Sequence, residues 1–88
     1  VIRLAALLAC LAGPAAAACL PAPEMRAILS ERFGERPVMR GLSGAAVVEV
    51  WVGPSGTWTV LVLRPDGAAC ILADGTAAEA VRPPGQPV

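Results

Sequence analysis

Two tetrads bearing proline and glycine, Gly53-Pro54-Ser55-Gly56 and Arg64-Pro65-Asp66-Gly67, separate three runs rich in apolar and β-branched residues, 46–52, 57–63 and 68–73. Proline presets the first corner of a tight turn, and glycine accepts the left-handed position that follows it. Runs of this length joined by such turns have one simple solution, an antiparallel meander. A weaker run, 38–42, adds a possible fourth strand, so the expectation is three or four strands.

Ahead of the meander the period changes. Met25, Ile28, Leu29 and Phe33 recur at steps of three and four, while Glu24, Arg26, Glu31 and Arg32 fall mainly on the other side. This spacing predicts an amphipathic helix over 23–33. Pro23 suits its first turn, Glu24 complements the positive end of its dipole, and Gly34 is placed to end it in a left-handed conformation. The fold class expected is α+β, with one helix packed on the meander.

The first eighteen residues have a different character. Arg3 precedes an apolar run from Leu4 to Ala12, then come a Gly13-Pro14 break and four alanines. That order is a signal peptide's, with cleavage expected between Ala18 and Cys19. The apolar run is short for an anchor spanning about 30 Å of hydrocarbon. Lipidation of Cys19 stays open as an alternative. Residues 19–75 are then the single domain and 76–88 a flexible Pro-rich tail, in a protein that is periplasmic or secreted and has no membrane span after processing.

Cys10 would leave with the leader, which keeps Cys19 and Cys70 as a pair in an oxidising compartment. A Cys19–Cys70 disulfide is therefore expected. The chain has no His and no Cys-x-x-Cys, so neither a metal site nor a cofactor is expected. Seven basic residues, all Arg, balance seven acidic ones. That balance argues against a nucleic-acid partner. Ser30 and Ser43 have no histidine to activate them, and no residue is assigned a catalytic role.

If the first tetrad is a four-residue loop, Val52 pairs with Thr57 and Trp51 faces Trp58. If the second tetrad likewise pairs Leu63 with Ala68, one sheet face carries Val48, Val50, Leu61, Leu63, Cys70 and Leu72. The other carries Val47, Glu49, Trp51, Trp58, Val60, Val62 and Ile71. Because Cys70 must reach Cys19 at the start of the helix, the helix is expected on the Cys70 face. The tryptophan face is left open, with Trp51, Trp58, Glu49, Val60 and Val62 as candidate partner-binding residues. In this reading Glu49 is a solvated strand residue.

The segments Cys19-Leu20-Pro21, Glu49-Val50-Trp51-Val52, Thr57-Trp58-Thr59-Val60-Leu61 and Arg64-Pro65-Asp66-Gly67, with Cys70 close behind, resemble a group of small uncharacterised exported proteins of alphaproteobacteria. The resemblance spans about residues 19–75 and implies export but no assigned activity. The helix-then-meander order is also similar to a half-unit of PepSY-type inhibitory modules, an analogy of fold only. Two functions compete: a module that binds a protein partner or a second copy through the tryptophan face, and a small disulfide-stapled inhibitor that presents one of its turns to an envelope enzyme.

Overall fold

The computed structural model describes residues 18–81 and residue 85. The expected leader thus lies outside the described residues except for Ala18, and most of the Pro-rich tail does too. The elements run β1 (Cys19–Pro21), α1 (Ala22–Phe33), β2 (Arg36–Ser43), β3 (Ala46–Val52), β4 (Trp58–Leu63) and β5 (Ala68–Gly75). They form one helix on a five-stranded antiparallel sheet of order β1-β5-β4-β3-β2. The strand count corrects the expected three or four: Cys19-Leu20-Pro21, too short to show a period, pairs with the outer edge of β5.

The helix follows its local signals. Pro23 sits in the first turn with Glu24, and Arg32 lies in the last. Gly34 adopts φ 64° and ψ 19°, and the Leu29 carbonyl accepts bonds from the N–H groups of both Gly34 and Glu35. The left-handed residue thereby satisfies a carbonyl that the ended helix would leave bare. Met25 and Leu29 are buried against Trp51, Leu61 and Ala69. Each large side chain contributes about 1.5–3 kcal/mol by leaving water, and the five buried apolar residues among those described make a thin core.

Both tetrads are turns, but each closes a loop of three residues. Gly53 N–H donates to the Thr57 carbonyl at 2.8 Å and Gly56 N–H to the Gly53 carbonyl at 3.0 Å. Arg64 and Ala68, with Gly67 and Arg64, repeat the pattern at 2.8 and 3.0 Å. Gly56 and Gly67, at φ 94° and 92°, occupy the left-handed corner. This is a type I turn followed by a bulge glycine. Val52 therefore pairs with Trp58 rather than Thr57, and Leu63 with Ala69 rather than Ala68. Moving a pairing by one residue sends a whole strand's side chains to the opposite face, so the expected face assignment is overturned.

The face under α1 carries Glu49, Trp51, Thr59, Leu61, Leu63, Ala69 and Ile71. The face away from it carries Val48, Val50, Val52, Trp58, Val60, Val62 and Cys70. Trp51 and Trp58 are on opposite sides, and the helix covers Trp51 rather than Cys70. The expected Cys19–Cys70 disulfide is formed nonetheless, because β1 lies directly beside β5 and the two cysteines are register partners with Cα atoms 4.0 Å apart. Ile71 N–H donates to the Ala18 carbonyl and Ala22 N–H to the Gly67 carbonyl. Cys19 and Cys70 thus occupy the narrow, non-hydrogen-bonded pair between those rungs, where antiparallel side chains approach most closely. A bridge across a separation of 51 residues contributes about 4 kcal/mol in the chain-entropy model, a large share of the stability of so small a domain.

Candidate functional site

Of the five residues expected to meet a partner, the structure keeps three together. Trp58, Val60 and Val62 lie on the open face, where Val48 is the register partner of Val62 and Val50 that of Val60. Met39 of β2, opposite Val50, extends the patch and is 60% exposed. No other helix or strand among the described residues lies over these side chains. Trp58 is half-buried through its own strand neighbour: its indole lies across Gly75, where a Cβ would meet Cζ2 at 2.8 Å. Its Nε1–H donates to the Thr76 carbonyl at 3.1 Å. The open face is therefore a row of β-branched side chains ending in an indole.

The other two residues belong to the interior. Glu49 is fully buried and Trp51 nearly so. Arg40, the register partner of Glu49 on β2, sets Nε 2.6 Å from Glu49 Oε2 and directs Nη2 to the same oxygen. Arg26 reaches Oε2 from α1 at 3.3 Å, and Trp51 Nε1–H donates to Oε1 at 3.0 Å. The Arg26 guanidinium lies 5.9 Å from the centre of the Trp51 ring, within cation–π range. Arg26 thus sits on the sheet side of the helix, contrary to its expected place on the outer side. Its stem packs inward while its head, still partly wet, meets the carboxylate.

Burial by itself would push the Glu49 carboxyl up. The indole bond, the Arg40 bond and the two guanidinium charges outweigh it and hold the group below its ordinary value. Such a carboxylate is ionised, fully partnered and sealed from solvent, which moves it away from the range where a general acid or base works near neutral pH. The cluster ties three elements together through one oxygen pair, fixing the helix over β2 and β3. Only Glu49 carries a sequence signal for the cluster, since it interrupts an otherwise apolar strand face, and a carboxylate set in a small core needs partners.

Among the described residues no helix is long and apolar enough to cross a membrane. Compared with protein-family models, with curated proteins and with solved structures, the chain finds no match.

Proposed function

We propose that this chain is a small exported binding module that meets a protein surface through the helix-free face of its sheet. One observation carries the reading. Val48, Val50, Val52, Val60 and Val62 stand side by side with Trp58 on a face that no described element shelters, whereas the polar residues of β3 and β4 are turned inward. A continuous apolar patch rimmed by polar residues is a common mark of an interaction surface. Arg36 and Ser43 at the ends of β2 supply such a rim. The disulfide is compatible with an oxidising compartment, and the Cys-Leu-Pro and Trp-Thr-Val segments favour kinship with the small exported proteins they resemble. The role is binding rather than catalysis.

A second reading, an inhibitor that presents a turn, is favoured by the loop at 64–67. Arg64 Nη2 lies 2.6 Å from Asp66 Oδ2, and Ala68 N–H donates to Asp66 Oδ1 at 3.0 Å. These contacts hold an exposed loop in one shape. Crosslinking and size-exclusion measurements on purified oxidised protein, alone and with envelope extract, separate the two readings. Val48→Lys with Val62→Glu, an opposite-charge pair across the ladder, should abolish self-association or partner capture, with the unfolding midpoint retained. Loss on Asp66→Ala with the valine pair indifferent favours the turn, and a wild-type monomer that captures nothing overturns both.

A further inference from the structure

The far end of the sheet holds a cavity of about 310 Å³ between α1 and the strands, reaching Trp58 at the end of the valine patch. The helix stops at Gly34 while β5 continues through Asp74 and Gly75, and both of these line the space beyond the last helical turn. Met25, Ile28 and Phe33 form its helix wall and Ile71 its sheet wall.

Two polar atoms break these apolar walls. Glu35 is 2% exposed, yet its Oε1 has no hydrogen-bond partner among the described residues, and neither has the buried Thr57 Oγ1. Both residues line the cavity. They converge over Gly53, where an added Cβ would meet Thr57 Oγ1 at 3.0 Å, Glu35 Cγ at 3.3 Å and the Phe33 carbonyl at 2.9 Å. The close approach that glycine permits is what lets Glu35 and Thr57 lie against the same backbone position beside the cavity. The contrast with Glu49 is direct: that buried carboxylate has three donors, and Glu35 Oε1 has none. Buried acceptors are nearly always satisfied in folded proteins, so an unmet one calls for a donor from elsewhere. Asp74 adds a second carboxylate to the lining, and no arginine among the described residues lines it.

We propose that this cavity binds a small amphiphilic amine, its ammonium donating to Glu35 Oε1 and Thr57 Oγ1 and its hydrocarbon stem lying between Ile28 and Ile71. The volume is at the lower end of small-molecule sites and admits a stem of about six carbons. Anions are disfavoured by both carboxylates. Neutral alcohols fit the walls but forgo the charge-assisted bond.

The test is a titration of the full chain, with its Cys19–Cys70 bridge formed, by hexylammonium chloride, hexanol and sodium hexanoate, followed through the methyl resonances of Met25, Ile28 and Ile71. Hexylammonium should saturate those shifts with a Kd on the order of 1 mM or tighter. Hexanol should bind at least about tenfold more weakly, and hexanoate should give no saturable shift. Glu35→Gln should bring the amine to the alcohol's affinity while leaving the alcohol unchanged. Ile28→Trp, which fills the cavity, should remove both. Equal affinity for amine and alcohol on the native chain, or no saturable shift with the amine, overturns the proposal whether or not either variant folds.

Discussion

The two faces of this sheet reverse the usual distribution of polarity. The sheltered one holds a glutamate, a threonine and an indole N–H beside its leucines, while the open one is nearly all valine with a single tryptophan. Hydrophobic residues belong inside only as a tendency. What decides burial here is which side the helix occupies, and partnering is what makes the polar residues tolerable there. The two tryptophans show the difference at one residue type. Trp51 is 4% exposed and bonded to Glu49; Trp58 is only partly buried and rests on a glycine.

The sharpest way to break this comparison is to truncate each indole. Trp51→Ala should cost about 3–5 kcal/mol in urea unfolding, as large-to-small changes in a core do. Trp58→Ala should cost about 1–2 kcal/mol, for one hydrogen bond and partial packing. Comparable losses from the two would erase the distinction between the faces.

The ion cluster offers a second, smaller asymmetry. Arg26→Ala with Arg40→Ala strands a buried carboxylate with only the indole for company, a loss of about 3 kcal/mol or more. Glu49→Gln frees two guanidinium groups that are 38% and 59% exposed and can return to water, so it should cost about 1–2 kcal/mol. A reversed order in thermal or urea unfolding would mean that the arginines, not Glu49, are the constrained partners.

The smallest effect is on acid stability. The folded-state pKa of Glu49 lies below its ordinary value of 4.5, so its contribution is complete above that value. It falls away as pH drops through the lowered folded pKa, when both states are protonated. Urea midpoints should therefore hold from neutral pH to about 5 and decline below 4.5. Glu49→Gln should flatten the decline, and an equally steep decline in that variant would place the acid sensitivity elsewhere.

Much of the architecture was legible in the residues. The helix, its glycine stop and the order of β2 to β5 each have a local signal, and each appears where that signal points. The two faces exchange because each loop has an odd number of residues. Pro54 and Gly56, like Pro65 and Gly67, stand at the first and third places of a three-residue loop, and counting each tetrad as an even loop moved two registers by one. The bridge was foreseen through a wrong geometry: it was expected to pass beneath the helix, and an unforeseen strand carries it on the other side. Of the tail, Thr76 and Ala78 are held by bonds from Trp58 Nε1 and to the Gly56 carbonyl, contacts between distant segments that no local pattern announces. Glu35 carries no local signal, since a glutamate after a helix-ending glycine reads as solvent-facing until the turn at Gly53 is folded over it.

The strand order has a bearing on how the molecule assembles. Every junction in the sheet but one joins neighbours along the chain, across loops of two to five positions. The exception, β1 against β5, carries the covalent link. Hairpins with short loops close quickly and at little entropic cost. Once β2 to β5 have zipped, the gap that the two sulfurs must span shrinks from a long coil to the helix and its two ends. Oxidation should then be the closing event of folding rather than its start, and thiol trapping during refolding, set against hairpin formation, reads that order directly.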